Sequence, residues 1–274
     1  MFRKNVECRP LKNISTWRKI SLATWEKPGD PSSYGEMEID MTKALALLEK
    51  LKTESNEKLT ITHFIVKGVA KMLAEFPDTN VIIRRNKIYL RDNVDVFVQV
   101  FWQEKGRPDL SGAKIRDAHK KTLDQIADEL NQQTQKIRAG DDPNLKQSKM
   151  SLKFLPPFLL KWVMKCLAYI GYDLNLSPFF LKLPPDPFGG AMITNVGMFG
   201  IKTAWAPLVP FSRTPIVFVV GVITDQAVVE NGQVVVKPIV HITATVDHRI
   251  VDGYLAGKAG GYLKNLLENP EQLL

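Results

Sequence analysis

Between Ala191 and Val246 the chain keeps returning to β-branched runs, which are stable mainly as strands of a sheet. Ala191-Met-Ile-Thr-Asn-Val, Ile216-Val-Phe-Val-Val-Gly-Val-Ile, Ala227-Val-Val-Glu, Gln233-Val-Val-Val-Lys and Ile239-Val-His-Ile-Thr-Ala-Thr-Val follow one another, with Asn231-Gly232 between two of them. Branched side chains pack well on a pleated surface, and Asn-Gly tolerates the positive φ of a two-residue hairpin. The last third is therefore predicted to be mostly sheet, closed by a helix from Tyr254 to Leu267.

The first half supplies the helices that cover such a sheet. Tyr34 to Asp40 alternates polar and apolar, and Asp40 can cap a helix carrying Leu45, Leu47, Leu48 and Leu51. A second helix is expected from Thr62 to Phe76, with Ile65, Val69, Met72 and Leu73 inward and Pro77 as its stop. Val81 to Leu90 reads as a hairpin and Val94 to Trp102 as a strand; Ala118 to Arg138 reads as a helix that Gly140 ends. No repeat or low-complexity tract appears. The expectation is one α+β unit over 1–274, a large mixed β-sheet flanked by helices, with an apolar insertion at about 141–187.

With 274 residues, 45% of them apolar, the chain can bury a core without a disulfide or metal. Cys8 and Cys166 stand far apart, which excludes a disulfide scaffold and a Cys-x-x-Cys metal or redox site. The net charge of +8 suits an anionic partner, but it is too dispersed to indicate nucleic acid. The first ten residues hold no apolar signal core, so a cytoplasmic location is expected. The segment Phe154 to Gly171 is the most apolar stretch. Two lysines, Lys161 and Lys165, and a Pro pair keep it short of a bilayer span of about 20 residues, so it reads as a buried or interfacial helix.

Of the four histidines, His248 has the most informative setting, Asp247-His-Arg-Ile-Val-Asp-Gly253, between a strand and a helix. A side chain at such a junction is held rigidly yet reaches solvent. Three uses are open from spacing alone: catalysis, a His248–Asp252 contact at a turn, or half of a metal pair. The metal reading needs a third ligand, and the other histidines lack helical H-x-x-x-H spacing. His63, His119 and His241 read as structural, as does Asp247, which can bond Arg249.

Other segments accompany this motif in order. The stretch His241 to Leu273 resembles the carboxyl end of the catalytic domain of dihydrolipoamide acyltransferases, the core components of 2-oxoacid dehydrogenase complexes, of which chloramphenicol acetyltransferase is a structural relative. Gly189-Gly-Ala-Met-Ile-Thr-Asn-Val-Gly-Met-Phe-Gly-Ile resembles the family's second signature, and Arg9-Pro-Leu-Lys-Asn-Ile-Ser-Thr-Trp-Arg-Lys-Ile-Ser resembles the opening of its domain. The resemblance spans nearly the whole chain except about 141–187.

The resemblance implies a chloramphenicol-acetyltransferase-like fold and a CoA-dependent acyltransferase. His248 would be the general base on a thiol, and Thr194, where the family usually has Ser, would stabilise the oxyanion, with Asn195 in support. A thiol of pKa about 8.5 and an imidazole near 6.5 are well matched for that proton transfer. Asp252 would pair with Arg18 to organise the loop, and Gly253 would let the chain turn sharply into the last helix. The family also implies a homotrimer with its active site at the subunit interface, and a possible higher assembly. Coenzyme A enters as acyl-CoA substrate, with no metal and no lipoyl group on this chain. The chain opens almost directly on the catalytic domain, so a lipoyl or acyl-carrier protein would be a separate partner.

Two departures matter. At Gln103–Gly112 the family's Gly-Leu-hydrophobic-hydrophobic-Pro stretch is replaced, which leaves the acceptor open between a dihydrolipoamide-like thiol and a hydroxyl. The insertion could be a lid over an acyl chain, packing against an assembly surface, or a membrane-surface contact through 154–171. The competing reading of the whole is a catalytically retired scaffold, or an acyl-carrier-binding protein, of the same fold.

Overall fold

The computed structural model describes residues 2–12, 15, 30–54, 59–104, 107–139, 156–178 and 185–274. Arg18 lies outside them, as do 141–155 and 179–184 of the insertion.

In chain order the strands are β1 (Phe2–Arg3), β2 (Cys8–Pro10), β3 (Ser32–Asp40), β4 (Val81–Arg84), β5 (Lys87–Arg91), β6 (Val96–Glu104), β7 (Arg107–Ile115), β8 (Ser177–Pro178), β9 (Ala191–Asn195), β10 (Ile216–Val220), β11 (Thr224–Glu230) and β12 (Gln233–Asp247). The helices are α1 (Thr42–Glu54), α2 (Ile61–Glu75), α3 (Leu123–Arg138), α4 (Pro157–Ala168) and α5 (Gly253–Glu268).

A seven-stranded mixed sheet organises the molecule. β12 is its longest strand, pairing antiparallel with β3 along one edge and with β10 and then β11 along the other. β10 continues through parallel β9 and β6 to antiparallel β7. β2, β5 and β4 form a separate three-stranded sheet, and β1 pairs with β8 of the insertion.

The strand period assigns the two faces of the sheet. Ile193, Phe218, Val246 and Ile242 point to one side and join the main core with Leu73 of α2, Ile126 of α3 and Leu263 of α5. Met192, Val217 and Phe97 point to the other side, where Phe188, Ala206 and Leu208 cover them. Truncating a core residue such as Leu263 to Ala would cost about 2–5 kcal/mol.

Local chemistry sets the boundaries. Asn231 and Gly232 have φ of 51° and 79°, and Arg85 and Asn86 have φ of 46° and 59°, so each pair makes the left-handed turn that matches strand twist. The Thr122 hydroxyl accepts from the Gln125 backbone N–H, and the Gln125 side chain accepts in return from the Thr122 backbone N–H, a reciprocal cap on α3. Gly68 lets α2 cross α5 closely, since a Cβ there would lie 3.1 Å from Leu263 Cδ1.

The structure departs from the sequence reading in four places. β7 was not expected, because Arg107-Pro-Asp-Leu-Ser-Gly holds no β-branched run; it pairs with β6 from Val96↔Ile115 to Glu104↔Arg107. The runs Gln233–Lys237 and Ile239–Val246 are one strand, continuous through Pro238 opposite Asp225. The helix expected from Ala118 divides into a 3-10 turn, Ala118–Lys120, and α3. The apolar segment forms α4 and a π-helical turn, Tyr169–Asp173; only Tyr172 of the turn is buried, against Val6 and Ile82.

Candidate active site

The loop after β12 is fixed at both ends. The Asp247 carboxylate accepts from the Arg249 backbone N–H at 3.0 Å and pairs in bidentate fashion with the Arg249 guanidinium at 2.9 and 2.6 Å. The Asp247 carbonyl accepts from the N–H groups of Ile250 and Val251, both buried. His248 donates its backbone N–H to the Pro31 carbonyl at 2.7 Å, tying the loop to the start of β3. Asp252 is the N-cap of α5, its Oδ1 accepting from the Leu255 N–H at 2.9 Å.

Gly253 differs from expectation. It is the first residue of α5 with no left-handed backbone, so it makes no special turn; a Cβ there would meet nothing within 4 Å. Its place is on the wall of a cavity of about 430 Å³ between the sheet and α5. Phe218, Ala244 and Val246 line the sheet side and Ala256, Gly257 and Gly260 the helix side, while His248 and Asp252 stand at one end. Small residues on the N-terminal half of α5 create this space, whereas Leu263 and Leu267 close the C-terminal half against Gly68.

Thr194 occupies a different part of the chain. It is the next-to-last residue of β9, in register with Val219, which faces Thr243, which in turn faces Glu36. These four share the sheet face turned away from the α2 and α5 helices, whereas His248 lines a cavity on the helix face. His248 is also five residues beyond Thr243, roughly 16 Å along the strand. One chain therefore does not bring His248 and Thr194 together. Asn195, of opposite parity, donates its side-chain amide to Thr62 Oγ1 at 3.1 Å and accepts from the Gly197 N–H at 2.9 Å. It ties the end of β9 to the first turn of α2.

The remaining histidines lie elsewhere in the chain. His63 is buried at the start of α2, its Nδ1 accepting from the Thr60 N–H at 3.1 Å, and loss of solvent pushes its pKa down to about 4. His119 is the middle residue of the 3-10 turn, half-buried, with its pKa lowered by burial and then by Lys120. His241 Nδ1 contacts Glu36 Oε1 at 2.5 Å and its Nε2 lies 3.0 Å from Gln226 Nε2. Among the described residues no three His, Cys, Asp or Glu side chains gather as a metal site would require. The cavity was missed at the sequence level; the signal for it was Ala256-Gly257 and Gly260-Gly261 on the face of a helix that otherwise buries Leu.

The family model "2-oxoacid dehydrogenases acyltransferase (catalytic domain)" matches residues 18–151 and 182–274. The chain belongs to this acyltransferase family. The unmatched stretch, 152–181, contains α4 and lies inside the insertion expected at 141–187. Among relatives, the dihydrolipoyllysine-residue acetyltransferase component of the Rickettsia prowazekii pyruvate dehydrogenase complex is 26% identical, over 100% of this chain and 57% of the relative. The chain thus spans little more than half the length of that acetyltransferase. Among solved structures, the Azotobacter vinelandii dihydrolipoamide acetyltransferase superposes with a TM-score of 0.67 at 18% identity, covering 96% of this chain and 93% of the other. The cubic core of a pyruvate dehydrogenase complex gives 0.66 at 17% identity, covering 96% and 93%. The fold is that of these catalytic cores, as expected.

Proposed function

We propose that this family member transfers an acyl group between coenzyme A and a thiol acceptor of the dihydrolipoamide kind, at a site shared by two subunits of a homotrimer. His248 of one subunit is the general base, and Thr194 of the next supplies the oxyanion donor. The observation that carries this reading is the placement of His248 at the end of an apolar cavity, on the sheet face opposite Thr194. Two halves that cannot meet within a chain can meet across a cyclic interface.

In this reading the imidazole of His248 removes the proton of the incoming thiol. The thiolate adds to the thioester carbonyl carbon, and the negative charge that develops on the carbonyl oxygen is met by the Thr194 hydroxyl. Collapse of the tetrahedral intermediate breaks the bond to the leaving sulfur, which regains a proton from the imidazolium. Apolar walls exclude water, which would otherwise hydrolyse the thioester. Asp247, with Arg249, and Asp252, capping α5, position the loop that presents His248. Coenzyme A is a substrate here rather than a resident group, and the lipoyl acceptor is carried by another domain or protein.

The test is acyl transfer from acetyl-CoA and longer acyl-CoAs to dihydrolipoamide and to small alcohols, in wild type and His248→Ala. A loss of about a hundredfold or more in the variant supports the enzyme. Equal rates, or none with any donor, favour the scaffold reading. A series of acyl-CoAs in thermal shift should raise the melting temperature with chain length until the cavity is full.

A further inference from the structure

Helix α4 turns apolar surface outward. Leu159 is 42% exposed, Trp162 66% and Tyr169 53%, and Cys166 is exposed as well. Positions 159, 162, 166 and 169 are spaced three, four and three apart, one stripe along the helix and its π-helical turn. No described side chain of α4 is buried. The segment is fastened at its end instead: Tyr172 packs between Val6 and Ile82, and Asp173 accepts from Arg213 Nη2 at 3.1 Å and from the Arg85 backbone N–H at 3.3 Å.

The helix itself carries charge of one sign. The only charged residues of α4 are Lys161 and Lys165, and Lys165 Nζ lies 5.3 Å from the Trp162 ring centre. The bond from Arg85 to Asp173 holds the β4–β5 turn at the same end, where Arg85 and Lys87 are exposed. The match to the family model leaves 152–181 uncovered.

We propose that α4 lies flat on an anionic lipid surface. Leu159, Trp162 and Tyr169 enter the boundary between headgroups and acyl chains, while Lys165, Arg85 and Lys87 meet lipid phosphates. Trp and Tyr suit that boundary because each ring has an apolar body and a polar edge. Twelve residues of helix span about 18 Å, well under a hydrocarbon core of about 30 Å, so the helix rests on the surface and does not cross it. The proposal does not depend on the acyl-transfer reading.

The test is co-sedimentation of the full chain with vesicles of phosphatidylcholine alone, or with about one third phosphatidylglycerol. Wild type is expected to bind the anionic vesicles, to leave the neutral ones in solution, and to be released at about 0.5 M salt. Lys165→Glu and Trp162→Ser are each expected to weaken partitioning about tenfold. Both should leave the melting temperature, the oligomeric size and acyl transfer unchanged, because these side chains face outward. Three results would overturn the proposal: no binding to anionic vesicles, equal binding to neutral ones, or variants that bind like wild type. A change of oligomeric size in Trp162→Ser without vesicles would also overturn it, by assigning the stripe to a second copy of the chain.

Discussion

His248 and Thr194 lie at two ends of one sheet, and they are held in different ways. The His248 end is a loop tied down by three contacts from the Asp247 carboxylate, by the Pro31 carbonyl and by the Asp252 cap, and it faces a cavity made by Gly and Ala on α5. The Thr194 end is the tip of a short parallel strand inside the sheet, held by ladder pairing to β10 and by Asn195 gripping α2. A base that must accept and return a proton needs room beside it. An oxyanion donor needs only a fixed hydroxyl, which the rigid interior of a sheet supplies. The difference suits two half-sites that meet between subunits.

The comparison can be broken most forcefully at the base. His248→Ala is expected to lower kcat about 100- to 10,000-fold while leaving the fold intact, measured by steady-state acyl transfer and thermal melting. Thr194→Ala follows, with about 100-fold loss in kcat, while Thr194→Ser retains most activity because the donor is kept. Asp247→Ala removes the Arg249 contacts and should lower kcat about tenfold with KM little changed, since it loosens the loop without touching substrate.

The smallest effect concerns stability. Burial lowers the pKa of folded His63 from 6.5 to about 4, so the unfolded chain takes up this proton first. Stability is therefore whole above about pH 6.5 and declines as pH falls toward 4, by on the order of 2–3 kcal/mol. His63→Gln keeps an acceptor for the Thr60 N–H and removes the titration, so its urea midpoint should fall less between pH 7 and 4.5 than that of wild type.

The sheet was legible because its strands are written in Val and Ile, and α2 because its apolar period ends at Pro77. β7 was not, since its pairing comes from β6 rather than from its own residues, and β12 was divided because Pro238 looks like a break. Pro238 sits in the strand without disrupting it: its carbonyl accepts from the Met41 N–H, while the N–H it lacks is not needed there. His248 and Asp252 stood out because their spacing implies a loop. The cavity beside them is a property of two packed elements, and no single stretch of sequence states it. The apolar content of 154–171 was visible, but content alone does not say whether a helix turns its apolar side chains inward.

The most direct test of the shared site is complementation. Mixed in equal amounts and reassembled, His248→Ala and Thr194→Ala chains should form intact sites wherever a Thr194→Ala chain supplies His248 to a His248→Ala chain that supplies Thr194, about one site in four. Recovery of about a quarter of wild-type activity from two nearly inactive parents is the expected result. Activity that stays at the level of the parents, although size analysis proves mixed assemblies, would show that no site is built from His248 of one chain and Thr194 of another.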